Sequence, residues 1–372
     1  MKYYLIAGEA SGDLHASNLM HELNKLDQNA VFRCWGGDMM QAQGGTIVKH
    51  YRDLAFMGFI EVLLNIRTIA KNLAFCKTDI LQFKPDILIL VDYPGFNLRI
   101  AEFAHEQGFK VYYYISPQVW AWKKSRVKTI KRVVDKMMVI LPFEKEFYAR
   151  YNYPVDFVGH PLIDALNKEK DSIPTLQKFL QTNQLDNKPM VALLPGSRKQ
   201  EVKAMLKIMT EVSAHFKDYQ FVIAGAPSLT PGFYKEITLN SEVKIIFGQT
   251  HHLLSFANAA LVTSGTATLE TALLKCPQVV CYRGNPVSFE IARRIVDVKY
   301  ISLVNLIAGE KIVQELIQYD LTPGNLQNEL GKLLTDRQYR SGILTGYDRL
   351  EKILGGSGAS AKAAALIYEA VR

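Results

Sequence analysis

Cysteine is scarce in this chain: Cys34, Cys76, Cys276 and Cys281 are the only four in 372 residues, and none has CxxC spacing or a histidine partner at zinc-finger distance. That scarcity excludes a disulfide framework and a structural zinc, and points to a reduced, cytoplasmic protein. There is no Asp-x-Asp pair, no HExxH and no cluster of His and Cys, so no metal site is expected. The absence of GxxxxGK[ST] removes the P-loop NTPases, and without GxGxxG hydride transfer to a nicotinamide is unsupported. No cofactor is expected. No apolar run approaches the roughly 20 residues that span a bilayer. The opening "MKYYLIAGEA" enters a strand without a separate apolar h-region or cleavage site, so export is not expected.

What is present describes a folded chain. The apolar fraction of 48% and charged fraction of 22% are globular values, and the length suffices for two domains with separate cores. The net charge of +8 favours polyanionic partners: nucleic acid, anionic lipid or phosphorylated metabolites.

Short β-rich runs alternate with helical periodicity. "KYYLIA", "VFRCW", "DILILV", "VYYYI" and "KMMVIL" fill the first half, and "MVALL", "QFVIA", "VKIIF", "AALVT" and "PQVVCY" the second. Runs of this kind between polar turns are what parallel strands buried on both faces require. The expected fold is therefore α/β, with two Rossmann-like doubly wound domains facing a cleft. The exit "DFVGHPLID" places the boundary near Gly159 to Pro161, giving domains over 1–160 and 161–345. A helical tail over 346–372 caps the second domain or crosses back to the first. In such sheets ligands bind beyond the carboxyl ends of the strands, so the loops there carry the chemistry.

Two loops of the second half offer anion sites. In "VALLPGSRKQEV" a helix starting near Lys199 would bring its free amides, the Ser197 hydroxyl and the Arg198 guanidinium to one point. A solvated surface turn is the alternative. In "ALVTSGTATLETALL", Ser264, Gly265 and Thr266 end a strand and open a helix, with Glu270 one turn on. That carboxylate either accepts hydrogen bonds from a ribose diol or only favours the helix start. Together the loops suggest a nucleotide diphosphate.

In the first half, "LILVDYPGFNLRIA" puts Asp92 at the end of an apolar strand, where it serves as a proton acceptor or as a turn-forming aspartate. "SPQVWAWKKSRVKTIKRVV" carries Trp120 and Trp122, then a helix whose apolar stripe is Val127, Ile130, Val133 and Val134. Its basic residues form a solvated face or dock phosphates and anionic headgroups; nucleic acid is disfavoured, because no recognition-fold signature accompanies them. The run with Phe56, Met57, Phe59, Ile60, Leu63 and Leu64 is a buried helix or an interfacial, acyl-binding segment.

In order along the chain, "AGEASGD", "DYPGFN", "SPQVWAWKKSR", "LPFEKEFY", "FVGHPL", "LPGSRKQEV", "TSGTATLE" and "NLIAGEKIVQEL" resemble the lipid-A-disaccharide synthase family. The resemblance implies a metal-independent glycosyltransferase of the GT-B class. Its donor would be UDP-2,3-diacylglucosamine and its acceptor 2,3-diacylglucosamine 1-phosphate, lipid X. It implies a peripheral place on the cytoplasmic face of the inner membrane, against an anionic surface. The family's proposed base falls on Asp92 and its essential arginine on Arg198; Glu270 takes the ribose position, and Asn305 and Glu315 a nucleotide-side role. Where the family often has Ala-Pro-Asp, this chain has Tyr93, Pro94 and Gly95. Asp92 then stands alone, which argues for a single base. "AGEASGD" resembles the first-strand loop of the acceptor domain: Gly8 and Gly12 allow close approach, Ser11 donates, and Glu9 and Asp13 either bind sugar hydroxyls or hold the loop. The rival readings are a nucleotide-sugar 2-epimerase or hydrolase on the same fold, and a basic RNA- or lipid-binding module without catalysis.

Overall fold

Five of the six residues of the first strand, Tyr3 to Ala7, are wholly shielded from solvent, because helices cover both faces of the sheet it belongs to. The computed structural model describes residues 1–53, 66–122, 124–238, 241–295 and 298–370. The chain divides into two compact units, Met1–Ala165 with the segment from Leu354 onward, and Leu166–Ile353.

The first unit holds a seven-stranded parallel sheet in the order β3-β2-β1-β4-β5-β6-β7. Its strands are β1 Lys2–Ala7, β2 Val31–Gly36, β3 Thr46–His50, β4 Ile87–Val91, β5 Lys110–Tyr114, β6 Lys136–Val139 and β7 Asp156–Phe157. Successive side chains alternate between faces. Tyr4 and Ile6 join a core with helices Ile66–Phe83, Pro94–Glu106 and Arg126–Val133, and the expected stripe of Val127, Ile130, Val133 and Val134 is buried there. Tyr3, Leu5 and Ala7 face helices Ala10–Leu26 and Ala359–Glu369 on the other side.

The second unit repeats the plan with six parallel strands in the order β10-β9-β8-β11-β12-β13. These are β8 Met190–Leu194, β9 Gln220–Gly225, β10 Lys244–Phe247, β11 Ala259–Thr263, β12 Gln278–Tyr282 and β13 Gln314–Ile317.

The boundary differs from the Gly159 to Pro161 expected. It falls inside helix Pro161–Lys170, whose first turn is stitched to the returning chain. His160 N donates to Leu354 O at 3.3 Å, and the Asp164 carboxylate accepts from Gly358 N at 2.6 Å and Ser360 N at 3.1 Å. The return begins at Leu354 rather than at 346, since helix Arg337–Ile353 lies wholly in the second unit. The last helix packs on helix Ala10–Leu26, and its Ala363, Ala364 and Ile367 belong to the first unit's core.

Candidate functional site

Each sheet changes direction once, and candidate residues gather at both reversals. In the first sheet the reversal lies between β1 and β4, paired up to Ala7 and Val91; in the second it lies between β8 and β11, paired up to Leu194 and Val262. Such switch points leave a crevice at the strand ends.

After β1 the chain turns directly into a helix. Ala10–Leu26 is already helical, so Ser11, Gly12 and Asp13 sit in its first turn, and the glycine-loop reading of "AGEASGD" is corrected. Gly8 is required by packing: a Cβ there would lie 2.3 Å from Cγ of Tyr93. Gly12 lets the helix approach Ala7, whose Cβ would be 3.2 Å away. Asp13 does not reach toward a ligand. It is 3% exposed, and its carboxylate accepts from Gly37 N at 2.7 Å, Met39 N at 3.1 Å and Met40 N at 3.2 Å, capping helix Asp38–Ala42. Of the acceptor-side candidates in this stretch, Ser11 is exposed and Glu9 half-buried.

Asp92 and Tyr93 follow β4 in left-handed backbone, with φ of 44° and 50°. Non-glycine residues pay for that conformation with strain and hold it only where the surroundings fix it. Here the Asp92 carbonyl accepts from Asn97 Nδ2 at 2.7 Å and from the Tyr113 hydroxyl at 2.5 Å, while its N–H donates to Tyr114 O at 3.3 Å. Pro94 then starts helix Pro94–Glu106. Burial pushes the half-buried Asp92 carboxyl up to about 6, and the negative charge of Glu9 adds to the shift. Asp92 therefore does not stand alone; Glu9, from the neighbouring strand end, is the second acid.

Trp120 is 9% exposed, edge-on to Phe143 at 5.0 Å between ring centres, so it is packed inside the unit rather than offered as a sugar platform. The Trp122 side chain and Phe56, Met57, Phe59, Ile60, Leu63 and Leu64 lie outside the described residues. Glu144, next to Phe143, is a buried acid that the sequence does not mark out. It is 1% exposed, accepts from Leu141 N at 3.0 Å, and is pushed by burial up to about 8, close to a hydroxyl pair of Ser116 and Tyr148 at 2.7 Å.

In the second unit a cavity of about 430 Å³ opens at the β8 and β11 ends. Ser197, Ser264, Gly265, Thr266 and Glu270, all singled out above, line it together. Helices Lys199–Ser213 and Thr266–Leu273 both start there, where opening amides lack the usual intrahelical partners, although Thr268 N already donates to Gly265 O at 3.1 Å. Gly196, with φ of 110°, makes the turn between β8 and the first of these helices. Sequence reading missed Thr250 and the Gly225 to Pro227 turn after β9, which complete the wall. Their signal was "IAGAP", a glycine turn at a strand's carboxyl end.

Three of the expected nucleotide-side residues are not in the lining. Arg198 is absent from the lining; its guanidinium donates to Glu201 Oε1 at 3.3 Å, and Glu201 itself lines the cavity. Asn305 is buried and committed to its own segment. Its Oδ1 accepts from Ile312 N at 2.8 Å and Val313 N at 3.0 Å, and its Nδ2 donates to Val313 O and Glu315 Oε1, both at 2.9 Å. Glu315 in turn accepts from Ile301 N and Ser302 N at 3.0 Å and from the Ser302 hydroxyl at 2.7 Å. Both residues shape the segment whose Ile301 carbonyl accepts the Ser264 hydroxyl at 3.1 Å; neither is a cavity wall. Among the described residues, no His, Cys, Asp and Glu group is placed to hold a metal ion, and no helix is long and apolar enough to cross a membrane.

The family model described as lipid-A-disaccharide synthetase matches residues 3–364. The chain belongs to the lipid-A-disaccharide synthetase family. It is 37% identical over 372 residues to the lipid-A-disaccharide synthase of Geobacter sulfurreducens, covering 98% of this chain and 96% of that one. With the Coxiella burnetii enzyme of the same name it shares 36% over 371 residues, covering 99% and 98%. Membership makes the chain a glycosyltransferase of lipid A biosynthesis. Solved structures repeat the architecture at low identity. The UDP-GlcNAc 2-epimerase of Neisseria meningitidis, bound to UDP-GlcNAc, superposes with a TM-score of 0.69 at 16% identity, covering 99% of this chain and 100% of that one. The calicheamicin glycosyltransferase CalG4 gives 0.61 at 16%, covering 99% and 98%. These likenesses establish the GT-B fold alone, so the epimerases lend no support to an epimerase activity for a member of the synthetase family.

Proposed function

We propose that this synthetase joins UDP-2,3-diacylglucosamine to lipid X by a single in-line displacement, with Asp92 as the base and the second-unit cavity as the UDP site. An α-linked donor giving a β-1,6 product inverts at the anomeric carbon, and one displacement with one base achieves that. Asp92 accepts the proton of the acceptor's 6-hydroxyl as that oxygen attacks. The observation that carries the reading is the position of Asp92: half-buried, in strained backbone at the switch point of its sheet, beside a second carboxylate that raises its proton affinity. The departing diphosphate gathers negative charge, which the amides opening helices Lys199–Ser213 and Thr266–Leu273 and the hydroxyls of Ser197 and Thr266 offset. Arg198 exchanges Glu201 for the diphosphate, and Glu270 takes the ribose. Incubation with both acylated sugars, followed by mass spectrometry, is expected to yield the disaccharide phosphate and UDP. UDP released without the disaccharide would support a hydrolase instead.

Both substrates carry acyl chains, so we assign the enzyme to the cytoplasmic membrane surface. Arg67, Lys71 and Phe75 are exposed at helical spacing on Ile66–Phe83, directly after the apolar run 56–64, a face of cations and one aromatic suited to anionic headgroups. Sedimentation with anionic vesicles is expected to exceed that with neutral ones and to fall in a protein carrying Arg67→Glu and Lys71→Glu. Binding indifferent to both changes would reject the assignment.

A further inference from the structure

Behind Glu270, outside the cavity lining, stands a histidine. His251, on helix Thr250–Phe256, has its Nδ1 2.5 Å from Oε2 of Glu169 and its Nε2 3.5 Å from Oε2 of Glu270. Glu169 lies on helix Pro161–Lys170 and Glu270 on Thr266–Leu273, so one imidazole ties together elements from three places in the chain. The neighbouring Thr250 and Glu270 line the cavity, and His251 does not.

We propose that His251 is a positioning residue of the nucleotide site: anchored by Glu169, it holds the Glu270 carboxylate in place to accept a ribose diol. The inference rests on the reading of this cavity as the UDP site. A carboxylate on the wall of a cavity built to attract anions has a difficulty of its own. The diphosphate repels it, and it can rotate away. A cation fixed behind it opposes that. The ring is held as that cation: its two carboxylate partners raise it to about 9, so both nitrogens carry protons at neutral pH. Glu270 contributes most, Glu169 next, although the Glu169 contact is shorter; Glu270 is 23% exposed against 50% for Glu169, and water screens it less. The two contacts then divide the work. The short, exposed contact fixes the ring, and the longer, shielded one orients Glu270 and leaves it hydrogen-bonding capacity for a ligand.

The test compares UDP with 2′,3′-dideoxy-UDP, which lacks the diol, by titration calorimetry on the full chain. The wild type is expected to prefer UDP by roughly tenfold or more, the worth of hydrogen bonds to a charged acceptor. His251→Ala is expected to lose most of that preference through weaker UDP binding, with dideoxy-UDP affinity unchanged. Glu169→Gln, at a half-exposed position that does not endanger folding, is expected to lose part of it. A His251 role confined to folding would weaken both ligands alike in His251→Ala and leave the preference intact in Glu169→Gln, and that result overturns the proposal. If Glu270→Gln abolishes the preference while both other variants keep it, the ribose reading stands and the positioning role falls. If the wild type shows no preference at all, the ribose reading itself fails and takes the proposal with it.

Discussion

Glu9 and Asp92 sit at the ends of adjacent strands, just beyond the paired Ala7 and Val91, and the charge of Glu9 is felt at Asp92, whose carboxyl is raised to about 6. A base must be deprotonated to act, so kcat/KM is expected to fall with an acid limb near pH 6. Removing the neighbouring negative charge makes the Asp92 proton easier to lose. Glu9→Gln should therefore move the limb to lower pH; a pH–rate profile with the limb unmoved, or moved upward, would separate the two acids functionally.

Asp92→Asn is expected to lower turnover by roughly 10² to 10⁴ while UDP binding stays intact. The same change is expected to raise thermal stability at neutral pH. A carboxyl whose folded value lies above its unfolded one stabilises the fold below the ordinary carboxylate range, and that contribution is lost as pH rises through about 6. Neutral Asn has no such loss. Melting curves at pH 7.5 should favour the variant, with the gap closing below pH 4.

Arg198→Ala is expected to weaken UDP binding by roughly tenfold, the size of one charge-assisted hydrogen bond. The loss should appear in UDP affinity as well as in turnover. Calorimetry giving the wild-type UDP affinity would leave Arg198 as a partner of Glu201 only.

Two glycines near Tyr93, Gly8 in space and Gly95 in sequence, should respond differently. A methyl at Gly8 would meet the root of the Tyr93 ring, and Gly8→Ala is expected to cost about 1–3 kcal/mol. Gly95 has open space and lies in the first turn of helix Pro94–Glu106, so Gly95→Ala should be neutral or stabilising by up to about 1 kcal/mol. Denaturant titration of both variants checks the pair.

His251 predicts an alkaline stability slope. Its folded value of about 9 lies above the ordinary histidine value, so its contribution is complete below about pH 6.5 and fades as pH rises through 9. His251→Ala should flatten the wild-type decline between pH 6.5 and 9.5 in thermal melts. An equally steep decline in the variant would trace it to other groups.

The doubly wound plan was legible because strands shielded on both faces must be written as apolar runs, and "DILILV" and "AALVT" have no other economical reading. Two of the edge strands were not. Thr46–His50 and Gln314–Ile317 are only half-buried along most of their length and mix polar with apolar residues, so they leave no run to see. Residue type and strand position were enough to bring Ser197, Ser264, Gly265, Thr266 and Glu270 to one cavity. They could not tell which polar groups the protein uses for itself. Asp13, Asn305 and Glu315 look like ligand residues in sequence, yet backbone amides outside their own turns occupy them. For the same reason the partnership of Glu9 with Asp92, more than eighty positions apart, was out of reach.

The return of helix Ala359–Glu369 to the first sheet makes the second unit an insertion within the first. On a ribosome, which releases the chain from its N-terminus, this inverts the order of completion. Leu166–Ile353 is contiguous and can close its core as soon as it emerges. The unit begun first is finished last: until Ala363, Ala364 and Ile367 arrive, one face of the β1 sheet lacks part of its cover. The nascent chain therefore passes through an interval in which its second unit is formed and its first still exposes apolar surface, a natural substrate for chaperones.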